Sequence, residues 1–281
     1  MRIGNLSGRL SLFTEQGAVD VEKASGGRFG PDPQAVYDVW DEFVSWAGSA
    51  ELGEASSFDA ADLGAPTPAP PQVLAVGLNY SAHAAESKLD APDKFPPVFT
   101  KFRTAISGPV STVVLPPGGH TDWEVELVVV IGRRAERVAA ADAWSYVAGL
   151  TVGQDISERI RQIEGPAPQF SLGKSFPGFA PIGPWVVTVD EFDNPDDLEL
   201  GCAIDGETVQ HSTTSQLLFS VPKVIEGLSE VLPLLPGDVI FTGTPSGVGL
   251  GRDPQRWLQP GEELVSYVAG IGELRQKFVA S

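Results

Sequence analysis

Cysteine is almost missing from this chain. Cys202 stands alone in 281 residues, which excludes an intrachain disulfide and a cysteine-based metal cage. Positive charge is also in deficit: 19 Lys and Arg face 37 Asp and Glu, for a formal net charge of −18. Such a chain repels a nucleic-acid backbone and an anionic membrane surface. An acidic exterior that maintains solubility accounts for the excess without a basic partner. Long apolar runs are absent too. VLPLLPGDVIF is typical of those present, short and broken by Pro and Gly, and nothing approaches a membrane span. The start, MRIGNLSGRL, has no apolar core of a signal peptide. The expectation is a cytoplasmic protein with neither nucleic acid nor membrane as partner. The Asn-x-Ser matches at Asn5 and Asn79 are then coincidental.

What is present is enough for a sizeable core, with 42% hydrophobic residues. Residues 1–50 read as short strands plus one helix, PQAVYDVWDEFVSWAG, whose Val36, Trp40, Phe43 and Val44 fall at helical spacing. GAPTPAPPQ, residues 64–72, is a stiff Pro-rich connector. A boundary there gives a small unit at 1–70 and a main unit at 71–281. Beyond it strands dominate: VLAVGLN, PVFTKF, STVVLP, ELVVVIGRR, LTVGQDI and PWVVTVDEF. A helix is expected near ADAWSYVAG. LELGCAIDGETVQ carries Asp205-Gly206 between two alternating runs, a hairpin signal. LLFSVPKVIEGLSEVL is the best amphipathic helix, with Pro222 near enough to its start to be tolerated. The pattern predicts a β-rich α+β fold.

The chemistry starts at TDWEVEL, residues 121–127. Asp122, Glu124 and Glu126 alternate with Trp123, Val125 and Leu127, the period of a half-buried strand. Glu124 and Glu126 share a face, about 7 Å apart along the backbone, close enough to converge on a hard cation. The plain alternative is an edge strand with acids in water. Asp122, at the strand's start, reads as a turn or cap residue. Asp155 ends an apolar strand in GLTVGQDISERIRQ, where an acid often caps the following helix. His83 and Glu86 stand at i and i+3 in NYSAHAAES, on one helical face. A carboxylate-oriented His is a general base; an isolated pair of this kind is more often a surface contact. Lys174 lies among apolar, Gly and Pro residues, able to hold an anion or merely to snorkel. TGTPSGVGLG, residues 242–251, offers backbone amides to a carboxylate but lacks a phosphate-loop Lys. His120 and His211 lie in turn-like contexts and are expected to be exposed.

In their order and spacing these segments resemble the fumarylacetoacetate hydrolase family, over residues 73–279. GLNYSAHAAES, DWEVELVVVIG, QDISERIRQ, GKSFPGFAPIGP and GDVIFTGTPSGVG carry the likeness. The resemblance implies the family's mixed β-roll with a small N-terminal domain. It implies Mg²⁺ or Mn²⁺ held by Glu124, Glu126 and Asp155, with His83 and Glu86 as a water-activating dyad. Lys174 matches a Lys on the substrate's oxygens and Thr244 a Thr that helps hold its carboxylate. Arg159 and Gln162 match substrate-side polar residues, and Lys101 is a looser match. The chain departs from the family pattern at Ile160 and Pro177, where Asp is frequent.

The activity implied is hydrolysis of a C–C bond in a 2,4-dioxo acid of acylpyruvate type, giving pyruvate and a carboxylic acid. The same site would serve an oxaloacetate decarboxylase or an enol–keto isomerase. A non-enzymatic keto-acid-binding protein is the alternative of another class. Family likeness also implies a homodimer, for which the apolar PGFAPIGPW segment offers an interface.

Overall fold

The computed structural model describes residues 1–86 and 92–281; the end of the helix expected in SAHAAESK, at 87–88, lies outside the described residues. Two large sheets organise the chain. The main path of an eleven-stranded sheet runs Gly17–Asp20, Arg9–Thr14, Arg2–Leu6, Ala180–Val187, Val147–Gln154, Val125–Ile131, Val239–Phe241, Val73–Val76 and Val98–Thr100. It is mixed, since Val239–Phe241 is antiparallel to Val125–Ile131 and parallel to Val73–Val76. A five-stranded sheet runs Glu207–Thr213, Glu199–Ile204, Glu263–Val268, Gly272–Ala280 and Val110–Leu115. It packs across Val147–Gln154 and Ala180–Val187 through Glu263–Val268 and Gly272–Ala280. Described helices are few and short, so the β-rich α+β class expected from the sequence is the class found.

Val125–Ile131 is central. Its sequence, VELVVVI, is mostly β-branched and favours extended backbone, and both edges are paired, by Val147–Gln154 and Val239–Phe241. The alternation in TDWEVEL predicts a half-buried strand. Instead every residue of Val125–Ile131 is buried, and pairing lapses at Trp123 and Glu124, after the short strand Thr121–Asp122. Buried glutamines close the gap: Gln154 Oε1 accepts from the Glu124 amide at 2.8 Å and Gln210 Oε1 from that of Val125 at 2.9 Å. The carboxylates of Glu124 and Glu126 therefore face an interior cavity rather than solvent.

Other expectations fare unevenly. Asp205 (φ 48°) and Gly206 (φ 85°) form the hairpin turn, both in the left-handed region that a two-residue type I′ loop needs. Val221–Val231 is helical with Pro222 in its first turn, and buries Val221, Val224, Ile225 and Leu228. The helix expected at 33–48 divides into a 3₁₀ segment, Ala35–Val39, and an α-helix, Trp40–Ala47; Val36, Trp40 and Phe43 are buried, while Val44 is exposed. Ala140–Tyr146 is 3₁₀ rather than α. The first strand pairs with Ala180–Val187, Arg2 opposite Val187 and Ile3 opposite Val186, so the N-terminal segment extends the main sheet.

The PGFAPIGPW segment is not an interface surface. Ala180–Val187 lies between Arg2–Leu6 and Val147–Gln154, and Phe179 to Pro184 are buried. Its apolar character serves the interior of the sheet.

Asn79 is fully buried. Its Nδ2 donates to the carbonyls of Phe219 (2.9 Å) and Thr242 (2.8 Å), and its Oδ1 accepts from the Phe219 amide at 2.8 Å. It fastens the chain before Ser81–Glu86 to the 242–251 loop. Asn79→Ala strands these backbone groups and should lower stability by roughly 2–3 kcal/mol. Urea unfolding measures this; an unchanged midpoint would contradict the assignment.

Candidate active site

Three carboxylates meet where the central strands end. Glu124 precedes Val125–Ile131, Glu126 lies within it, and Asp155 follows Val147–Gln154. The Asp155 amide donates to the Glu124 carbonyl at 2.9 Å, which fixes these two side by side. One oxygen from each of Glu124, Glu126 and Asp155 lies within 4.8 Å of the others, and all three residues are buried. Asp155 is not a helix cap: Glu158 fills that role, accepting from the amides of Ile160 (3.2 Å) and Arg161 (2.7 Å).

Buried cations surround the cluster. Lys174 Nζ donates to Glu124 Oε2 and Asp155 Oδ2, each at 2.7 Å, so it is committed to the acids and does not snorkel. Lys101 pairs with the other oxygen of Asp155. Like Asp155 itself, it is fully buried and does not line the cavity that Glu124 and Glu126 border. Arg159 forks onto Asp122, with Nε–Oδ1 at 2.7 Å and Nη2–Oδ2 at 3.0 Å, reaches Glu124 Oε1 at 2.6 Å, and takes Gln162 Oε1 at 2.9 Å. Asp122, expected as a turn or cap residue, is thus the main partner of Arg159.

Four buried acids, Asp122, Glu124, Glu126 and Asp155, face three buried Lys and Arg side chains, Lys101, Lys174 and Arg159. Burial works against the charge on Glu124, but Lys174, Arg159 and His83 outweigh it and hold its carboxyl below the usual range. Glu126 is the remainder. Its described partner is the Gly243 amide, at 2.6 Å. Burial, with Asp155 and Glu124 alongside, lifts its carboxyl well above the usual range. An all-oxygen set with surplus negative charge fits a hard divalent cation. Oxygens sharing one such ion at about 2.0–2.1 Å lie no more than about 4.2 Å apart, a small convergence from the spacing present. Each carboxylate oxygen has a second lone pair, so an ion can join the lysines rather than replace them.

The 242–251 loop receives carboxylates, as its glycines suggest, but they are the protein's own. Gly243 N–H binds Glu126, Gly247 N–H binds Glu86 Oε2 at 2.9 Å, and Leu250 N–H binds Asp122 Oδ2 at 2.8 Å. Gly243 (φ 101°) and Gly247 (φ 105°) adopt backbone that other residues rarely take. A side chain at Gly247 would also strike the Val209 carbonyl. Through Glu86 the loop reaches the helix Ser81–Glu86, where His83 Nδ1 lies 2.8 Å from Glu86 Oε1. The histidine is buried, so this is no surface pair. The bond makes Nδ1 the protonated nitrogen and leaves Nε2 basic.

His83, Glu124, Glu126, Arg159, Gln162, Lys174 and Thr244 all line one cavity of about 270 Å³. The Thr244 hydroxyl is already engaged, donating to the Val125 carbonyl at 2.9 Å and accepting from Gln210 at the same distance. Sequence reasoning misses Gln154 and Gln210, because a lone Gln within a strand carries no pattern. It also misses the cavity's apolar wall, assembled from residues far apart in the chain. His120 and His211 are exposed.

Fold and site together define a class: a β-rich scaffold with a cluster of three buried carboxylates, two of which line one cavity together with the histidine of a His–Glu pair. The family model for the C-terminal region of fumarylacetoacetate (FAA) hydrolase matches residues 72–279. The chain belongs to the fumarylacetoacetate hydrolase family. Over 216 residues it is 42% identical to the oxaloacetate tautomerase FAHD2A, mitochondrial, of Bos taurus, covering 76% of this chain and 68% of that one. A crystal structure from Mycobacterium smegmatis, provisionally named an HpcE protein, matches with a TM-score of 0.96 and 58% identity over 100% of both chains. The maleylpyruvate hydrolase of Sphingobium sp. SYK-6, solved with manganese(II) and pyruvate, matches with a TM-score of 0.83 and 27% identity, again over 100% of both. Among the described residues no helix is long and apolar enough to cross a membrane.

The raised carboxyl of Glu126 has a measurable consequence. A cation binds the ionised form, so binding just below that raised pKa should expel a proton, and affinity should fall as pH falls through it. Titration calorimetry with Mn²⁺ in buffers of different ionisation enthalpy should give buffer-dependent heats, and Glu126→Gln should abolish both the proton release and most of the affinity. Buffer-independent heats throughout the pH range, or undiminished affinity in Glu126→Gln, would refute the assignment.

Proposed function

We propose that this protein is a divalent-cation-dependent enzyme that interconverts the keto and enol forms of a 2-oxo acid. The observation that carries the reading is that Glu124 and Glu126 of the three-carboxylate cluster and His83 of the His83–Glu86 pair line one cavity. Kinship with an oxaloacetate tautomerase supports the reaction type. The manganese and pyruvate in the Sphingobium hydrolase support a cation and a 2-oxo acid in such a site.

Glu124, Glu126 and Asp155 would hold Mg²⁺ or Mn²⁺, which would polarise the 2-oxo group and stabilise charge that develops on it. Lys174, already between Glu124 and Asp155, adds positive charge beside the same oxygens. Arg159, anchored by Asp122, and Gln162 border the substrate's carboxylate. Thr244 presents its backbone, since its hydroxyl is engaged. Glu86 fixes the His83 tautomer; Nε2 takes the proton from C3 of the substrate, and a proton delivered to the 2-oxo oxygen completes the enol, the reverse transfer restoring the keto form.

Cleavage of a 2,4-dioxo acid is a second reading, favoured by that same pair. There Nε2 would take a proton from water, which attacks the 4-carbonyl; the C3–C4 bond breaks, the acyl part leaves as a carboxylic acid, and the proton on Nε2 passes to C3 to complete pyruvate.

Deuterium exchange at C3 of 2-oxopentanoate, which has no second carboxylate, and pyruvate release from acetylpyruvate, each with and without EDTA, separate the two. EDTA-sensitive exchange is expected, with His83→Ala slowing it by about 10²–10⁴-fold. EDTA-sensitive pyruvate release without accelerated exchange would favour the hydrolase. Neither activity would overturn both.

A further inference from the structure

The cavity has two chemically distinct parts. One carries the carboxylates and their cations. The other is walled by Leu78, Pro97, Phe99, Ile163, Phe170 and Leu250. Phe99 stands between them: Lys174 Nζ lies 5.2 Å from its ring centroid, and Phe170 meets it edge-on at 5.7 Å. Apolar character continues outward, where Ile163 is 64% exposed, Leu172 55% and Ile160 50%.

Resting on the 2-oxo acid reading, we propose that the substrate's far end is an apolar alkyl or aryl group and not a second carboxylate. The lining cations are already engaged, Lys174 by Glu124 and Asp155, and Arg159 by Asp122, Glu124 and Gln162. What positive charge they and a bound cation can still share is focused on the substrate's own 2-oxo acid head. A second carboxylate would lie against the part-exposed side chains of leucine, isoleucine and phenylalanine, with no further lining cation among the described residues to pair with it, and Glu126 on the same cavity would repel it. A carboxylate loses hydration on such a wall without gaining a partner, whereas an alkyl or phenyl group gains from covering apolar surface there. The cavity, about 270 Å³, falls near the lower end of the roughly 300–1,000 Å³ common for ligand sites, so that group is small. Oxaloacetate and maleylpyruvate, in the names of two similar proteins, both end in a second carboxylate. By this inference the present chain differs in substrate while sharing their chemistry.

A shape-matched pair provides the test: 2-oxoglutarate, and 5-methyl-2-oxohexanoate, in which an isopropyl group replaces the distal carboxylate. Binding to the Mn²⁺-loaded protein is measured by calorimetry, and C3 deuterium exchange is followed separately. The apolar acid should bind at least about tenfold tighter. Ile163→Arg, at an exposed position where folding is not at stake, should shrink or reverse that ratio. Equal or tighter binding of 2-oxoglutarate by the parent, binding of neither acid, or an unaltered ratio in Ile163→Arg would overturn the inference. Preferential binding of the apolar acid without exchange would sustain it and count against the tautomerase reading instead.

Discussion

Negative charge that the protein does not itself neutralise is the constraint around which this molecule is built. Asp122, Glu124, Glu126 and Asp155 are all buried, against three buried Lys and Arg side chains. Burying a charge is tolerable when it is paired and hydrogen-bonded. Asp122, Glu124 and Asp155 meet that condition through Arg159, Lys174 and Lys101. Glu126 meets it only in part, through one backbone amide. A divalent cation held by Glu124, Glu126 and Asp155 would remove the deficit.

Much of the surrounding architecture serves to hold these acids. The Gly-rich loop aims its amides at Glu126, Glu86 and Asp122, and so links the carboxylate cluster, the histidine pair and the Arg159 fork in one network. Gln154 and Gln210 satisfy strand amides where pairing lapses, which lets Glu124 leave the sheet and turn toward the cavity. Asn79 ties the segment leading into the histidine helix to the same loop. A group placed this firmly is preorganised for charge that appears only during reaction.

The sequence discloses this unevenly. Periodic features are legible because periodicity is local: the VELVVVI strand, the Val221–Val231 helix and the Asp205-Gly206 turn all form where their patterns place them. Glu124, Glu126, Asp155, His83 and Glu86 are legible as candidates because each sits beside a structural boundary, and the family resemblance draws them together. The half-buried reading of TDWEVEL fails because alternation reports side-chain type, and a cation-ready interior looks the same as solvent by that measure. The PGFAPIGPW interface fails similarly, since apolar residues in a central strand and on an exposed patch have the same composition. The pairing of Asp122 with Arg159, across 37 residues, depends on the meeting of Thr121–Asp122 with Ser157–Glu158, which no local pattern encodes. The division between a charged and an apolar part of the cavity is likewise a product of tertiary structure.

The claim most exposed to test is that the buried charge surplus is completed by one cation at one place. Crystals grown with Mn²⁺ and measured on both sides of its absorption edge locate it directly. The account predicts one anomalous peak bounded by carboxylate oxygens of Glu124, Glu126 and Asp155, with Lys174 still beside them. A well-ordered crystal with those three side chains in place and no peak between them, or with manganese bound only elsewhere, would contradict it.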